Sequence, residues 1–355
     1  MRASRIARRL AALALGVLVL SAHAVTYRVD DLGPATPSYG VQANAINGAG
    51  VVVGWVRMPA AQVYSAPAVF DHGTITLLPT QANTNGMATG IDDRGNVVGT
   101  AVSSTSPSTH AFAWRGGAAI DLGTLSSVPG QAVSFATGIN RHGQICGTSQ
   151  IDGSYRRHAF LVSDGVMHDL GAPAWATDTY GNGINARGHV VGFGIDASYA
   201  GHALLFRDGS IVELGDFAGG SGTGQATAIN RADHVVGYAS AASDPGASSH
   251  AFAWVRGSLR DLGTLTVGAD QSSAARGIND DDTIVGEATV PGSANGSHAF
   301  IVRRNGRMRD LNDLLAPGTS GWELSSAYGI NASGQITGVG YVNGERRAYL
   351  ATPTP

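Results

Sequence analysis

Apolar residues in this chain come in short runs, many of them alternating with polar ones, and the runs are bounded by Gly, Asn or Asp. That rhythm predicts β-strands joined by tight turns, and no segment sustains the spacing of a long helix. One run recurs together with its turn. The segments AINGAGVVVG, GIDDRGNVVG, GINRHGQICG, GINARGHVVG, AINRADHVVG, GINDDDTIVG and GINASGQITG carry Ile46, Ile91, Ile139, Ile184, Ile229, Ile278 and Ile330, which lie 45 to 52 residues apart. A repeat of that length signals an array of one supersecondary unit whose neighbours bury each other's faces.

Each unit parses into four strands, a to d. Strand a ends at Ile-Asn, and the Asn-x-x-Gly that follows suits a type I turn closed by a left-handed residue, a conformation glycine adopts without strain. Asp233 and Asp282 stand in place of that glycine twice, a change aspartate tolerates. The valine-rich run is strand b, and a loop of variable length leads to strand c, usually His-Ala-Phe. A two-residue turn then returns the chain as strand d, with His72-Gly73, Gly116-Gly117, Asp164-Gly165, Asp208-Gly209, Arg256-Gly257 and Asn305-Gly306 at the turn. Four strands in 45 to 50 residues match the blade of a β-propeller rather than the shorter coil of a solenoid. The seventh copy stops after strand c, at RRAYLATP, while YRVDDLG near the amino terminus reads as an unattached strand d. The expectation is therefore an all-β, seven-bladed propeller over residues 25–355. Its N-terminal strand joins the last blade and hides the edges that an open array would expose.

The recurrent His-Ala-Phe, Asp-Leu-Gly and Ile-Asn-x-x-Gly motifs resemble the bacterial HAF family of probable extracellular repeats, over most of the chain. The resemblance implies export and a repeat architecture, and implies no activity. Ala66-Pro67-Ala68 and Arg347-Ala348-Tyr349 depart from it where His-Ala-Phe is expected.

A histidine leading strand c and an acid closing strand d invite a catalytic reading, but the register argues otherwise. Counting back from the turn sets Phe112 opposite Asp121, Phe160 opposite Asp169, Leu204 opposite Glu213 and Phe252 opposite Asp261, so each histidine becomes a diagonal neighbour of its acid. The expected pairs are His110 with Asp121, His158 with Asp169, His202 with Glu213, His250 with Asp261, and His298 with Asp310. In the first copy both members are missing, replaced by Ala66 and Leu77; in the seventh, Arg347 would meet Asp31 of the N-terminal strand. Cation and anion come and go together, as a structural contact requires, because a buried member left alone costs about 3 to 5 kcal/mol.

Composition narrows the function classes. Residues 1–24 combine an arginine-bearing start, an apolar run from Leu10 to Leu20 and small residues at Ala22-His23-Ala24. They read as a secretory signal peptide cleaved after Ala24, the run being short of the roughly 20 apolar residues of a membrane span. Export to the periplasm or beyond follows. Removing the leader's four arginines leaves 19 basic against 26 acidic residues, a balance of about −7, which argues against a nucleic-acid partner. The chain has no lysine, so Schiff-base chemistry is excluded. The single Cys146 cannot form an internal disulfide and sits at a valine position of strand b, a small buried hydrophobe. No cofactor or metal site is expected: the histidines fall one per blade, NDDDT at residues 279–283 lacks calcium-loop spacing, and GGSGTG at residues 219–224 precedes a strand rather than a helix.

The a-b and c-d turns share one rim of the ring, and the longer b-c and d-a loops share the other, where binding residues usually sit. Tyr64, Tyr155, Trp175, Tyr199, Phe217 and Trp322 lie there. Nearer the axis, the residue two before each isoleucine reads Asn44, Thr89, Thr137, Asn182, Thr227, Arg276 and Tyr328. The ligand-face candidates are Trp175, Tyr199, Arg276, Trp322 and Tyr328. The reading is a monomeric, exported binding module for a protein or cell-envelope glycan, without catalysis. The alternative is a propeller-type glycan hydrolase or lyase using non-repeated carboxylates on the loop rim, which two or more acids meeting at the channel mouth would favour.

Overall fold

The computed structural model describes residues 25–354 except 34–39, 58–64, 81–84, 104–107, 129–131, 154, 218–222, 242–247, 269–270, 305 and 320. The proposed leader, Tyr64, Asn305 and most of GGSGTG lie outside the described residues. Seven four-stranded antiparallel sheets follow one another in a ring. Blades 1 to 6 occupy residues 41–77, 86–121, 134–169, 176–213, 224–261 and 273–310, each in the order a-b-c-d; blade 7 takes strands a to c from residues 322–354 and strand d from Thr26–Asp31. The protein is a closed seven-bladed β-propeller. No helix among the described residues is long and apolar enough to cross a membrane.

Closure rests on continuous pairing from Thr26 opposite Thr354 to Asp31 opposite Tyr349. Tyr27, Val29 and Leu32 are buried by it, and the Tyr27 carbonyl accepts from the Ala316 N–H at 2.8 Å. Between blades the core is a series of small clusters, in which the Phe of each His-Ala-Phe (Phe112, Phe160, Phe252, Phe300) is fully buried. Both faces of a blade meet a neighbour, which is why strand b carries consecutive apolar residues rather than strict alternation.

The c-d registers are as the sequence implied: Phe112 faces Asp121, Phe160 faces Asp169, Leu204 faces Glu213 and Phe252 faces Asp261. Both turn residues have positive φ at His72-Gly73, Gly116-Gly117, Asp164-Gly165, Asp208-Gly209 and Arg256-Gly257, the geometry that matches strand twist in a two-residue hairpin. Blade 7 adds a tight b-c turn at Asn343-Gly344, so the loop rim is not irregular throughout.

The Asn of Ile-Asn-x-x-Gly does more than start its own turn. Its Oδ1 accepts the N–H groups two and four residues on, as Asn47 does from Ala49 and Val51; Asn331 accepts from the residue four on, Gln335. Its Nδ2 reaches the equivalent carbonyl of the next blade: Asn47 to Asp92, Asn140 to Asn185, Asn185 to Asn230, Asn230 to Asn279, Asn279 to Asn331, and Asn331 back to Asn47, all at 2.9 to 3.2 Å. This buried belt is broken at one junction. Asp92, the aspartate in GIDDRGNVVG, has no amide to donate, and its Oδ2 instead accepts from Asn96.

The aspartates that replace the turn glycine belong to the same belt. Asp233 accepts from Asn185, His189 and Arg187 of blade 4; Asp282 accepts from Asn230 and His234 of blade 5. They keep the left-handed φ, +62° and +61°, and add charged acceptors across the blade junction.

Candidate functional site

In every blade, strand a contains a β-bulge, and the bulged residue is the one two before the isoleucine: Asn44, Thr89, Thr137, Asn182, Thr227, Arg276 or Tyr328. A bulge inserts one residue without a ladder partner and re-aims its side chain. Here the seven side chains turn toward the axis and line a channel of about 330 Å3. The bulge also explains the glycine of strand b. A Cβ on Gly54 would stand 1.8 Å from the Gln42 carbonyl, and one on Gly192 would stand 1.7 Å from that of Tyr180, so only glycine lets strand b approach the bulged strand.

Five of the seven channel residues bond to the next blade. Asn44 donates to Ala88 O, Thr89 to Ala136 O, Thr137 to Gly181 O, Asn182 to Ala226 O and Thr227 to Ala275 O, at 2.7 to 2.9 Å. Arg276 and Tyr328 break the pattern in adjacent blades. Arg276 places Nε and Nη2 on one oxygen of Glu287, at 3.0 and 2.5 Å, with its guanidinium 5.5 Å from the centre of the Tyr238 ring. Burial opposes the Arg276 charge, but Glu287 outweighs it and holds the group protonated. Burial first, and then the Glu287 charge, raises the Tyr328 phenol above its ordinary value and keeps it a donor.

Glu287 lies opposite Ala274, two residues nearer the start of strand a than Arg276. The Arg276 side chain therefore points toward the loop rim, whereas the channel lining runs from the bulged residues to the isoleucines that end the a strands, on the turn side. Arg346 continues the cluster, donating to Val41 O and, at 3.4 Å, to the Gln42 side chain, whose amide reaches Asn44. In blade 4, Tyr180 and Phe193 stack at 4.6 Å, and Arg157 of blade 3 touches the Tyr180 hydroxyl at 3.5 Å. Arginine, carboxylate, amide and aromatic groups from several blades thus stand on the loop-rim side of the ring of bulged residues. Sequence reasoning placed Arg276 and Tyr328 but missed Glu287, Tyr238 and Arg346, because a bulge does not show in a regular count of alternation.

The aromatic candidates divide. Trp175 packs against His202, ring centres 4.7 Å apart, and closely covers Gly194. Trp322 packs edge-on to Tyr349 at 6.3 Å against the core of blade 7. Both are half-buried, and Phe217 packs on a core cluster. Tyr155 and Tyr199 are exposed, by 67% and 90%.

Four of the five expected histidine pairs form through Nδ1: His110–Asp121, His158–Asp169 and His250–Asp261 at 2.9 Å, and His298–Asp310 at 2.5 Å. Arg347 meets Asp31 at 3.7 Å. A carboxylate only accepts, so each Nδ1 carries the proton. The aspartate also accepts the N–H two residues on, as from Gly123, Gly171 and Gly263, whose positive φ accounts for the Asp-Leu-Gly motif. The acids are more exposed than expected, 43% for Asp169 and 45% for Asp261, so the pairs hold less energy than a fully buried one. Burial tends to raise Asp169, but the bonds from His158 and Gly171 overcome it and hold it below the usual carboxylate range.

The His202–Glu213 pair is corrected by the structure. The extra methylene of Glu213 carries its carboxylate past the turn, where it accepts the Trp175 indole N–H. His202 turns its Nε2 to Asp196 at 3.2 Å. The Ser198 hydroxyl first, and then His202, holds Asp196 well below its ordinary value. No group of three metal-ligating side chains occurs among the described residues. Burial pushes the Cys146 thiol up to about 12, too high for a nucleophile at neutral pH.

No family model and no curated protein matches the chain. Solved structures do. A Mycobacterium tuberculosis puromycin-hydrolyzing peptidase is similar with a TM-score of 0.59 at 12% identity, covering 86% of this chain and 49% of that one, so the chain spans about half its length. The β-propeller domain of the Trilobed protease from Pyrococcus furiosus gives 0.53 at 8% identity, over 92% and 95% of the two chains. An oligogalacturonate lyase in complex with manganese gives 0.52 at 13% identity, over 93% and 96%. At such identities the likeness is one of fold.

Proposed function

We propose that the protein is an exported binding module of the HAF-repeat kind, carried out of the cytoplasm by residues 1–24. Its ligand, a cell-envelope glycan or protein segment, seats at the loop-rim mouth of the central channel. The observation that carries this reading is the pair of departures at Arg276 and Tyr328. Each gives up a hydrogen bond that the other five blades make, worth about 0.5–1.5 kcal/mol, and puts a larger polar group into the channel. Glu287 and Tyr238 orient the guanidinium, an arrangement of few polar groups on a rigid frame that suits recognition.

Catalysis by a carboxylate pair finds less support. No carboxylate is among the described residues that line the channel, and Glu287 beside it is paired with Arg276. The peptidase and lyase similarities bear on fold.

The test is a glycan-array and pull-down screen of residues 25–355 with the Arg276→Ala variant alongside. A captured ligand should bind the variant at least about tenfold more weakly, as expected for loss of a desolvated arginine contact, measured well below the variant's melting temperature, which falls because Glu287 loses its cation. Turnover of the captured ligand that Glu287→Gln abolishes would replace this reading with the enzymatic one.

A further inference from the structure

Blades 3 and 4 carry nearly the same b-c loop, Ile151-Asp152-Gly153-Ser154-Tyr155 and Ile195-Asp196-Ala197-Ser198-Tyr199, each three residues ahead of the blade's histidine. The blade 4 loop is the a-b turn over again. Asp196 O accepts from Tyr199 N, Asp196 N donates to Ala200 O, and Oδ1 of Asp196 accepts from Ser198 N and Ala200 N. Asn47 makes the same four bonds in its own turn.

One position differs. The fourth turn residue is left-handed in both, and in the a-b turns it is Gly five times and Asp twice. In these two loops it is tyrosine, with φ of +68° at Tyr155 and +67° at Tyr199. A bulky residue there is strained, and strain of this kind persists where the side chain serves a purpose that a relaxed residue would not. The two rings pack little: Tyr155 is 67% and Tyr199 90% exposed. Packing therefore does not explain them.

We propose that Tyr155 and Tyr199 are paired stacking platforms for a β-linked hexopyranose glycan lying along the loop rim across blades 3 and 4. Each tyrosine follows polar residues in its loop, Asp152 in one and Asp196 and Ser198 in the other, and among the described residues the large exposed apolar residue near the blade 3 loop is the single Val128. A protein interface needs a contiguous apolar centre, whereas a sugar ring with equatorial substituents has a flat C–H face that one aromatic ring covers, its hydroxyls left to nearby polar groups. Tyrosine suits this role because it offers a rigid, amphipathic surface. Repetition at one blade's interval fits a ligand that repeats. This rests on the binding-module reading and names the class of its ligand, but locates the contact away from Arg276.

The experiment is affinity titration of the chain with cellohexaose and chitohexaose, plus co-sedimentation with insoluble peptidoglycan. The variants are Tyr155→Asn, Tyr199→Asn, Tyr199→Trp and Arg276→Ala. Asparagine relaxes the left-handed turn, so Tyr199→Asn should raise the melting temperature by about 1–2 °C while weakening glycan binding at least about fivefold; Tyr199→Trp should keep binding. Glycan binding lost only in Arg276→Ala would overturn the platforms and leave the binding module standing. Binding of none of the three glycans by the wild type would overturn the assigned ligand class.

Discussion

The rim of a-b turns and the rim of b-c and d-a loops are made by the same seven repeats, yet their side chains have different fates. On the turn rim each belt asparagine is buried and occupied twice, by its own turn and, where its amide reaches across, by the next blade. The aspartates that intrude there, Asp233 and Asp282, are drawn into the same cross-blade bonding. On the loop rim the departures go the other way: Arg276 and Tyr328 leave the inter-blade stitching, Glu213 leaves its histidine, and Tyr155 and Tyr199 turn to solvent. Where the repeat is kept, its polar groups hold blades together; where it is broken toward the loop rim, the departing groups take other partners or face solvent.

The largest effect is expected from removing residues 25–33, which takes strand d from blade 7 and exposes the edge of strand c. Losing the burial of Tyr27, Val29 and Leu32 costs about 5 kcal/mol at 1.5–3 kcal/mol per side chain, comparable with the whole net stability of many domains. Light scattering should show association, and the melting midpoint should fall by on the order of 10 °C or more. A shortened chain that stays monomeric and melts like its parent would break the closed ring.

Next comes the belt. Asn331→Ala leaves the Gln335 N–H, the Gln335 side-chain carbonyl and the Asn47 carbonyl short of a partner, for a loss of about 2 kcal/mol, read from denaturant midpoints. Asn230→Ala should lose more, since Asn230 also donates to Asp282. An Asn331→Ala variant as stable as the parent would reduce the belt to an incidental alignment.

Acid should act on both rims through different residues. Asp233 is pulled upward by burial but held below its ordinary value by His189, Asn185 and Arg187, and Asp169 and Asp196 are held low on the loop side. Carboxylates lowered in the fold contribute fully above their unfolded value of about 4 and lose that contribution as pH falls through the lower folded value. Urea midpoints should be flat from pH 7 to 5 with respect to these groups and drop below about pH 4, and Asp233→Asn should flatten part of that drop.

The smallest expected effect is a gain. Asp92→Asn supplies the missing amide opposite the Asn140 carbonyl and should stabilise the ring by about 0.5–1 kcal/mol, offset in part because Asn96 loses its carboxylate partner.

Much of this architecture is legible in the sequence because its determinants are local. The x-Gly hairpins fix the c-d register, the isoleucine period counts the blades, and the stranded YRVDDLG announces closure. The belt was missed because the Asn in a turn is explained by that turn alone, while its amide acts on a residue 45 to 52 positions away, or 284 where the ring closes. A trace was present, since a turn that accepts Asp or Ser as readily kept Asn in six of seven copies. The channel cluster was half legible: Arg276 and Tyr328 stand out in their column, but Glu287 and Tyr238 join them only through the bulge in strand a. Glu213 misled because one methylene, invisible to a charge pattern, moves its carboxylate to Trp175.

The division between repeated and departing residues is tested most directly by measuring melting temperature and ligand affinity together for Asn331→Ala and Arg276→Ala. The expected result separates the two by affinity, with Asn331→Ala melting several degrees lower and binding as the parent does, and Arg276→Ala, which also leaves Glu287 without its cation, binding at least about tenfold more weakly well below its melting temperature. If Arg276→Ala instead melts as low as Asn331→Ala while its binding is intact, the channel arginine is one more staple and the account is contradicted.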